Sequence, residues 1–511
     1  MKTKYSVFNK CIIFSCIISL LLLACTGKNK HSSSENTYRP VIHFTPPENW
    51  TNDPNGLVYY GGEYHLFYQH NPYENHWGHM TWAHAVSQDL YSWKNLPDAI
   101  PERDSTMIYS GSAVVDTGNT SGLCPPGTGD CMVAMYTAQV GNSLENQCIA
   151  WSADSGRTWE QYKRNPVIDL GKSDFRDPNL FRYDNAWRVA VSVPLEHKIL
   201  FYKSPDLVHW QLTGEFGNAG DTSKIWECPD ITRVPIAGSD SSVWVLFISS
   251  GSPYGDNFTG MQYFIGDFDG MAFRETAKQT MPQWLDYGKD FYAAITYNNL
   301  PDSQPVMIGW ANNWVYANDL PLKKFKGMMS VPRLLNIVRL NDRMYVAQQP
   351  VKIPDSFLEE NAFEINELTL DNRESDIDRI SGQALIIDAE LINRSARKFG
   401  LKVFKSGKCA TVIGIDTDRK QYYIDRTNSG KVDFNPEFSS VETAPFKEYG
   451  DHVNFKLIVD HSVITLFADQ GATVMTEQVF PVGHSTGISL FAENGSVQFK
   501  RIRIARINPA E

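Results

Sequence analysis

The stretch Ser87–Trp93 (SQDLYSW) is the first copy of a short pattern that returns through the first half of the chain. Related stretches are Ser152–Trp159 (SADSGRTW), Ser204–Trp210 (SPDLVHW) and, more weakly, Gly266–Phe273 (GDFDGMAF). Their aspartates, at positions 89, 154, 206 and 269, are separated by 65, 52 and 63 residues. A period of that size, with room for several strands per copy, is typical of β-propeller blades, which bury their faces against one another. The pattern therefore predicts a propeller.

The residues around this pattern read as short strands and turns. Glu63–Tyr68 is an aromatic, β-prone run after two glycines, and helical periodicity is scarce as far as residue 350. Four copies of the pattern, together with strands expected around Val331–Val346, predict five blades, with six as the alternative. The aromatic residue that ends each copy is expected to fill the space between neighbouring blades.

A second domain is predicted after Gln348–Pro354, which has the composition of a linker. Turn-bounded runs of alternating hydrophobic and polar residues follow it and predict a β-sandwich. These runs are Ala384–Ile392, Phe399–Phe404, Thr411–Asp416, Gln421–Asp425, Asn454–Val459, Val463–Ala468, Gly487–Ala492 and Ser496–Arg503. We expect an all-β chain with a five-bladed propeller over residues 41–350 and a sandwich over residues 351–511. A structural role is favoured for the sandwich over a second binding site.

The composition excludes some classes of partner. Of the 511 residues, 42% are hydrophobic and 21% are charged, which is ordinary for a folded protein with more than one domain. The formal net charge of -11, without a long basic run, argues against nucleic acid and anionic membrane surfaces. The aromatic fraction of 12% fits a β-rich core or a cleft that stacks sugar rings. We therefore expect a neutral ligand.

The first 25 residues have the order of a secretory signal, with lysines at positions 2, 4 and 10 before an apolar run from Ile12 to Ala24. Leu22–Cys25 (LLAC) resembles the lipobox of bacterial lipoproteins, in which the cysteine becomes the lipidated first residue. Residues 26–40 are polar and predict a flexible tether. We expect an exported lipoprotein anchored through Cys25, on the periplasmic face or at the cell surface. A plain signal peptide is the alternative.

The cysteines and histidines show no metal-binding spacing. Export makes a disulfide between Cys124 and Cys131 possible, and the odd number of cysteines beyond residue 25 leaves at least one free thiol. Five histidines cluster in sequence without an HExxH pattern, so core or cleft-wall positions are favoured over zinc. They are His65, His70, His76, His79 and His84. We expect neither a metal nor a cofactor.

Trp50–Gly56 (WTNDPNG) carries the first candidate for chemistry, Asp53. Pro54 makes the backbone rigid, and the following Asn-Gly pair lets the chain reverse through positive φ. This pattern predicts a tight loop from which Asp53 points outward, unburied. The alternative is a hairpin turn whose aspartate only caps its own backbone.

Two further acids occur in similar contexts, next to a proline. Asp177 lies in Phe175–Pro178 (FRDP), and Glu227 lies in Trp226–Asp230 (WECPD). Arg176 is expected to hold Asp177 ionised, whereas Trp226 and Cys228 are expected to form an apolar wall that keeps the Glu227 side chain protonated. One charged and one protonated carboxyl group are what cleavage of a glycosidic bond requires.

Together with three other motifs, these acids resemble glycoside hydrolase family 32, the β-fructosidases, which include invertases, inulinases and levanases. The additional motifs are Tyr109–Ser112 (YSGS), Tyr68–Pro72 (YQHNP) and Trp82–Ser87 (WAHAVS). The resemblance covers about residues 43 to 505, including Val459–Phe467, and is closest to bacterial levanase-like fructan hydrolases. It implies a five-bladed propeller followed by a β-sandwich.

The resemblance also implies roles for individual residues. Asp53 is the expected nucleophile, Glu227 the general acid and base, and Asp177 the carboxylate that binds fructose hydroxyls and stabilises the transition state. The expected fructose pocket consists of Asn52, Gln69, Trp77, Tyr109, Ser110, Arg176 and Trp310. Hydrolysis would retain configuration through a fructosyl-enzyme intermediate, with Asp53 and Glu227 about 5 Å apart and no cofactor.

The sequence departs from the family pattern at four positions, none of them a catalytic group. Thr51 replaces a usual Met and Ala83 a common Gly, changes that are expected to touch the pocket wall. His461 and Thr465 replace a usual Arg and Glu in the late motif and are expected to affect sandwich contacts.

Several functional alternatives stay open from the sequence. Within the family, the chain could be an exo-acting fructan hydrolase, an endo-levanase or an invertase, and the linkage preference, β-2,6 or β-2,1, is undecided. A fructan-binding lipoprotein without catalysis is the distant alternative, and a scaffold for protein partners leaves the three proline-fixed acids unexplained. The oligomeric state is unknown.

Overall fold

The computed structural model describes residues 38–141, 143–251, 259–276, 281–302, 304–448 and 450–509. The predicted signal segment, Cys25 and residues 26–37 of the predicted tether lie outside these ranges. Within the described residues the chain consists of strands joined by turns, loops and short 3-10 helices, and no helix there is long and apolar enough to cross a membrane. The 3-10 helices in these ranges are Pro194–Glu196, Ala317–Asp319, Asp355–Phe357 and Asp469–Gly471.

The first domain contains the strands β1 to β23. They are β1 (Asn49–Tyr60), β2 (Glu63–Asn71), β3 (Thr81–Ser87), β4 (Trp93–Ile100), β5 (Thr106–Asp116), β6 (Cys131–Val140), β7 (Leu144–Ser152), β8 (Glu160–Gln161), β9 (Ile168–Lys172), β10 (Arg176–Tyr183), β11 (Ala186–Val193), β12 (Lys198–Ser204), β13 (Gln211–Gly217), β14 (Glu227–Pro235), β15 (Ser242–Ser250), β16 (Gly260–Phe268), β17 (Phe273–Glu275), β18 (Gln283–Trp284), β19 (Tyr292–Thr296), β20 (Val306–Trp310), β21 (Phe325–Lys326), β22 (Arg333–Leu340) and β23 (Arg343–Pro350).

These strands form five antiparallel sheets, which confirms the prediction of five blades. The sheets run β1 to β4, β5 to β8, β10 to β13, β14 to β17, and β19-β20-β22-β23. Short strands add to three of them: β9 pairs with β7, β18 with β16, and β21 runs parallel to β1. The first strands β1, β5, β10, β14 and β19 pack against one another in that order, and β19 returns to β1. The ring is therefore closed.

The repeated pattern forms the turn between the third and fourth strands of blades one to four. In the first copy, Asp89 Oδ1 accepts hydrogen bonds from the backbone of Tyr91 and Ser92 at 2.8 and 2.6 Å. An aspartate that accepts from the backbone two and three residues ahead builds this turn locally. In the fifth blade, β22 and β23 are joined by Asn341 and Asp342 alone, at φ 48° and 64°, a turn too short for the pattern.

Trp159, which ends the second copy of the pattern, packs where it was predicted to. Trp159, from the second blade, meets Phe67 of the first blade edge to face, with ring centroids 5.3 Å apart. Its indole nitrogen donates to Gly156 O within the turn at 3.1 Å. Trp159 thereby closes one turn and fills the gap between two blades.

The second domain is a sandwich of two six-stranded sheets. Its strands are β24 (Phe363–Asp371), β25 (Glu374–Asp376), β26 (Ala384–Asn393), β27 (Lys398–Ser406), β28 (Cys409–Asp416), β29 (Gln421–Asp425), β30 (Val441–Pro445), β31 (His452–Asp460), β32 (Val463–Ala468), β33 (Thr473–Gln478), β34 (Gly487–Glu493) and β35 (Ser496–Arg506). One sheet has the order β24-β35-β26-β31-β32-β33, and the other has the order β25-β34-β27-β28-β29-β30. The core between them is almost wholly aliphatic and aromatic.

The late motif anchors the start of the described chain to the sandwich. Asp460, at the end of β31, is fully buried and accepts from the backbone nitrogens of Val41 and Ile42 at 2.7 and 2.9 Å. His43 Nδ1 lies 2.8 Å from the same carboxyl. Residues 38–40, the last of the predicted tether, also contact the folded domains, since Tyr38 Oη donates to Pro481 O at 3.0 Å.

Candidate active site

The first strand of every blade is bulged at its N-terminal end, where it faces the axis of the ring. Its register with the second strand shifts between Thr51 and Pro54, Ile108 and Gly111, Arg176 and Asn179, Glu227 and Asp230, and Tyr292 and Ile295. A bulge adds a residue to one strand and redirects its side chains. Because all five bulges lie at the same end of their strands, they gather side chains from five blades at one mouth of the propeller.

The prolines beside the three acids are explained by these bulges. Pro54, Pro178 and Pro229 each lie in a bulge, where the ladder lacks a hydrogen bond and a residue without N–H is tolerated. The expectation of a tight loop around Asp53 is wrong. Trp50–Gly56 lies within β1, and Asp53 is only 8% exposed, because the sequence bends a central strand instead of reversing it.

Asp53 has one oxygen in use and one unpaired. Oδ2 accepts a 2.6 Å hydrogen bond from Ser110 Oγ, whereas Oδ1 is buried and has no hydrogen-bond partner among the described residues. Burial raises the pKa of Asp53, and the hydrogen bond from Ser110 opposes that rise. The neighbouring charge of Glu227 raises the pKa further. Oδ1 is the oxygen available to an incoming molecule.

Asp177 is buried at the base of the site beside Cys228. Its Oδ2 accepts from Cys228 N at 2.9 Å and lies 3.6 Å from the thiol, which is itself 3.8 Å from Asp53 Oδ2. Burial raises the pKa of Asp177 to about 7, against the opposing charge of Arg176. Arg176 acts on Asp177 in the predicted direction, but burial outweighs it, and the ion pairs of the guanidinium are with Glu227, Glu145 and Asp174. Burial also raises the pKa of the Cys228 thiol, so this group stays protonated.

Glu227 is held by polar groups on both of its oxygens. Oε1 lies 3.1 and 3.0 Å from Nε and Nη2 of Arg176, and Oε2 accepts a 2.6 Å hydrogen bond from Tyr292 Oη. The predicted apolar wall of Trp226 and Cys228 is wrong. Trp226 packs into a hydrophobic cluster between two blades and donates to Asp221 O, because successive residues of a strand face opposite sides.

Arg176 links Glu227 to a carboxylate that the sequence did not single out. Its Nη1 lies 3.1 Å from Glu145 Oε2 and 3.1 Å from Asp174 Oδ1. Burial alone would lower the pKa of Arg176, but the carboxylates of Glu227, Asp177 and Glu145 outweigh it and raise the pKa. The guanidinium is therefore a fixed positive centre among acids.

These groups line a cavity of about 490 Å³. Nine of the ten residues predicted for catalysis or fructose binding lie in its wall. They are Asn52, Asp53, Gln69, Trp77, Tyr109, Ser110, Arg176, Asp177 and Glu227. Burial raises the pKa of Tyr109 to about 12. Thr51, one of the departures from the family pattern, lies behind the wall, with Oγ1 donating to Gln69 O at 2.9 Å.

Trp310 is the predicted pocket residue that the structure places elsewhere. It is fully buried, its indole nitrogen donates to Thr51 O at 3.1 Å, and Trp314 lies in front of it with ring centroids 4.7 Å apart. Trp314 is the tryptophan that lines the cavity. Trp310 is the last residue of β20 and points into the packing between blades, whereas Trp314 follows in the loop at the mouth.

The sequence reasoning also missed other residues of the wall. They are Glu145, Lys224, Ile225, Ser250, Thr259, Tyr292 and Trp314. The position of Tyr292 could have been predicted from the repeat. Tyr292 begins the first strand of the fifth blade, just as Glu227 begins the first strand of the fourth. The prediction located the fifth blade only from its outer strands, so this position was not considered.

The histidines and cysteines of the described part of the chain form no metal site. No group of three or more His, Cys, Asp or Glu side chains there could hold a metal ion. His65 and His84 are buried and stacked between the first two blades. Cys124 and Cys131 form a disulfide, and the other cysteines of the described ranges, Cys148, Cys228 and Cys409, are free.

Two family models match this chain over nearly all of its described length. The glycosyl hydrolases family 32 N-terminal domain matches residues 43–350, and the family 32 C-terminal domain matches residues 357–506. The chain belongs to glycosyl hydrolase family 32. It is therefore a glycosidase, and the family resemblance of the sequence is confirmed.

Curated relatives in family 32 align with the chain over most of its length. It is 39% identical to a levanase of Bacillus subtilis over 502 residues, which cover 96% of this chain and 73% of the levanase. It is 34% identical to an extracellular exo-inulinase of Aspergillus ficuum over 511 residues, covering 93% of this chain and 95% of the exo-inulinase.

Solved family 32 structures share the fold. The exo-inulinase of Aspergillus awamori superposes with a TM-score of 0.87 at 32% identity, covering 93% of this chain and 99% of that one. A fructofuranosidase of Schwanniomyces occidentalis, solved in complex with fructose, gives a TM-score of 0.85 at 30% identity, covering 93% of this chain and 100% of that one. The two-domain architecture of a propeller followed by a sandwich is thus confirmed.

Proposed function

We propose that this family 32 glycosidase releases fructose from β-fructosides by a retaining mechanism with a fructosyl-enzyme intermediate. The observation that carries the proposal is the meeting of Asp53, Asp177 and Glu227, from three different blades, in the wall of one cavity. The levanase, exo-inulinase and fructofuranosidase among the similar proteins support fructans and related fructosides as substrates.

Asp53 is the proposed nucleophile because its buried Oδ1 is unpaired while Ser110 holds Oδ2. In the first step, Oδ1 forms a bond to the anomeric carbon of the fructosyl unit as the glycosidic C–O bond breaks. The proton of Glu227 goes to the departing oxygen. Burial disfavours a bare carboxylate at Asp53, so an ester there relieves an unfavourable charge.

Glu227 is the proposed acid and base because it lines the same cavity wall as Asp53. In the second step, Glu227 takes a proton from water, the oxygen of that water bonds to the anomeric carbon, and the ester to Asp53 breaks. Configuration is retained because each displacement inverts the anomeric carbon, and two inversions restore the original configuration. The separation of about 5 Å between the carboxyl groups of Asp53 and Glu227 stays a prediction.

Asp177 is proposed to bind fructose hydroxyls and to stabilise the developing positive charge. It is buried and lies one residue from Arg176, so its carboxyl group is fixed at the base of the cavity. Asn52, Gln69 and Ser110 would bind hydroxyls from the first two blades. The aromatic rings of Trp77 and Trp314 would cover the apolar parts of the sugar, in place of the predicted Trp310.

We propose exo-action on fructan chains, with endo-levanase and invertase activities as alternatives. The cavity wall includes Asn52, Tyr109, Arg176, Glu227 and Tyr292, one residue from each of the five blades. A cavity walled on all sides by the ring fits the end of a chain better than its interior. No metal or cofactor is needed for this chemistry.

Product analysis tests this proposal. Levan, inulin and sucrose would be incubated with the enzyme and sampled early by thin-layer chromatography, with Asp53→Ala as the matched control. Exo-action predicts fructose as the first product from the polymers, whereas endo-action predicts a ladder of oligosaccharides. A wild type that binds levan and inulin but releases no sugar from any of the three substrates would make the chain a binding lipoprotein.

We also propose that the chain is exported and held to a membrane by lipid on Cys25, with a signal over residues 1–25, a tether from residue 26, a propeller to residue 350 and a sandwich beyond it. The order of charged, apolar and LLAC segments supports this. Cells fed labelled palmitate should label the wild type and not Cys25→Ala. Equal labelling of the two proteins would contradict the anchor and leave a plain signal peptide.

A further inference from the structure

Two side chains hold the carboxyl group of Glu227, and one of them, Tyr292, belongs to the fifth blade. Tyr292 is 2% exposed and donates a 2.6 Å hydrogen bond from Oη to Glu227 Oε2. Arg176 occupies the other oxygen. Because an acid and base must direct the same oxygen first at the leaving group and then at water, the orientation of this carboxyl group matters in both steps.

The backbone that leads into Tyr292 is fixed by the sandwich. Residues 286–290 run alongside β33, with Tyr287 N donating to Val474 O at 2.8 Å and Asp290 N donating to Thr476 O at 3.1 Å. In return, Thr476 N donates to Asp286 Oδ1 at 2.8 Å. A segment of the propeller is therefore hydrogen-bonded to a sandwich edge two residues before the tyrosine.

Asp290 holds this segment through a buried charge. Its Oδ2 lies 2.7 Å from Arg426 Nη1 and accepts from Gln478 N at 2.8 Å, and its Oδ1 accepts from Tyr316 Oη at 2.7 Å. Asp290 and Arg426 are both fully buried. A buried ion pair with each oxygen of its carboxylate hydrogen-bonded is rigid, because any movement leaves a charge without a partner.

The same sandwich edge holds the loop that carries Trp314. Gln478 Nε2 donates to Asn312 Oδ1 at 2.7 Å, and Asn313 Nδ2 donates to Lys289 O at 2.8 Å. Two wall residues of the catalytic cavity, Tyr292 and Trp314, are thus supported by segments that are fixed to each other and to the last residue of β33.

We propose that Tyr292 is a positioning residue for the acid/base Glu227, and that the sandwich, through Gln478 and Arg426, is the element that fixes Tyr292. The inference rests on the proposed function, since it assigns Glu227 the acid/base role. If the inference holds, the sandwich contributes to catalysis although the three acids all lie in the propeller.

Tyr292→Phe tests the first half of the inference. The ring is kept and one hydrogen bond to a charged acceptor is lost, so kcat/KM on sucrose or inulin should fall about tenfold to a hundredfold. The loss should lie in kcat, and the basic limb of the pH–rate profile should move to higher pH, because a hydrogen bond that favours the charged carboxylate is gone. An activated fructoside, whose leaving group needs no proton, should form the intermediate at nearly the wild-type rate.

A Tyr292→Phe enzyme with an unmoved pH profile and equal losses on natural and activated substrates would overturn the positioning role. The proposed function fails separately, when the wild type itself releases no fructose. The two outcomes are therefore distinguishable in one set of assays.

Gln478→Met tests the second half while keeping the side-chain volume. It removes the Nε2 bond to Asn312 and the 3.4 Å contact of Nε2 with Asp290 Oδ1, and it leaves the backbone bond from Gln478 N to Asp290 in place. It should lower kcat about threefold to tenfold and move the pH profile in the same direction as Tyr292→Phe. Combined with Tyr292→Phe it should add no further shift, because both act through one contact. Ile413→Val, in the sandwich core, is the control: it should lower the melting temperature without moving the pH profile.

Additive effects of Gln478→Met and Tyr292→Phe would leave the sandwich a purely structural support and overturn this half. If Gln478→Met does not fold, Thr476→Val takes its place. It removes the hydroxyl contacts to Asp286, Arg333 and Thr465 and keeps the backbone bonds of β33 to residues 286–290. The same coupling is expected from that variant.

Discussion

The three carboxyl groups of the site differ in their surroundings, and the differences set what each replacement should do. Glu227→Ala removes the proposed proton donor and leaves Asp53 intact. Turnover of natural substrates should fall by about 10² to 10⁴. An activated fructoside should still form the intermediate and then stall until azide, a small nucleophile that needs no base, releases it. Rapid-quench measurement of the initial burst, with and without azide, checks this.

The assignment of the acid/base is contradicted if azide rescues Asp177→Asn and not Glu227→Ala. Asp53→Ala serves as the control in the same experiment. It should show neither burst nor rescue, because no other group in the cavity has an unpaired buried carboxylate oxygen in the described structure.

Asp177 gives the site a pH dependence whose sign follows from its burial. Burial raises the pKa of Asp177 from 3.8 to about 7 in the folded protein. The folded state therefore favours the neutral carboxyl group, and the stability it contributes is fully present below about pH 4 and is lost as the pH rises through 7. Asp177→Asn cannot ionise. Its stability relative to wild type should rise by on the order of 1 kcal/mol per pH unit between pH 4 and 7.

Thermal unfolding of both proteins at pH 4, 5.5 and 7 measures this difference. Curves for wild type and Asp177→Asn that stay parallel across the range would show that Asp177 is already ionised at pH 4. The same result would restore the original expectation that Arg176 dominates this carboxyl group.

At the scale of the element, the first two blades meet through a buried histidine pair. His65 Nδ1 lies 3.0 Å from His84 Nε2, and His84 stacks on Phe67 at 4.1 Å. Burial, with a smaller contribution from the charge of Arg157 and against that of Glu63, lowers the pKa of His65 to about 4. Burial lowers the pKa of His84 well below 6.5, with His65 and Arg157 adding to the effect.

Because both histidines are neutral when folded, the pair should destabilise the propeller in acid. The unfolded chain binds protons below pH 6.5 and the folded chain does not until about pH 4, so stability is lost across that window as the pH falls. His84→Gln should weaken the fall by on the order of 1 kcal/mol per pH unit. Denaturant unfolding at pH 7, 5.5 and 4.5 measures it. The curves at pH 7, above the usual range in which histidine takes up a proton, give the baseline for each protein.

The strands of the sandwich show which elements the sequence did not predict. All eight predicted strands of the sandwich exist, and the four that were missed, β24, β25, β30 and β33, are the outer strands of the two sheets. Edge strands carry charged and polar residues, so alternation of hydrophobic residues fails there. β33 is fully buried but reads TVMTEQ, because its polar groups meet the propeller instead of water.

The site was predictable to the extent that its residues follow local rules. The neighbouring prolines identified all three acids in the sequence. The bulge that explains those prolines was predicted as a loop at Asp53. Partners contributed by other blades were not predictable. Arg176 bonds to Glu227, 51 residues away, and Tyr292 reaches Glu227 from 65 residues away, so neighbours in sequence gave the wrong environment for Asp177 and Glu227.

At the scale of the whole molecule, the two domains share buried charges that neither could bury alone. Arg333 of the propeller lies 2.9 Å from Asp286 and donates to Thr476 Oγ1 of the sandwich at 2.7 Å. Arg426 of the sandwich lies between Asp290 of the propeller and Glu477, at 2.7 and 2.9 Å. Removal of one partner leaves the other charged groups buried without a counter-ion. The loss of stability is large because a buried charge has neither solvent nor an ion of opposite sign.

Arg426→Gln should therefore destabilise the protein far more than an equal change at the surface. Two carboxylates, Asp290 and Glu477, would stay buried without their cation, at a cost of about 3–5 kcal/mol. Arg397→Gln removes the same charge from an exposed pair with Asp418, in which the arginine side chain is 63% exposed, and should leave the unfolding midpoint nearly unchanged. Urea unfolding of the two variants, followed by tryptophan fluorescence, compares them directly. Since all 13 tryptophans lie in the propeller, a shift of its transition by Arg426→Gln would show that the sandwich stabilises the domain that carries the active site. Equal midpoints for the two variants would mean that the domains unfold independently and that the shared charges contribute nothing to either.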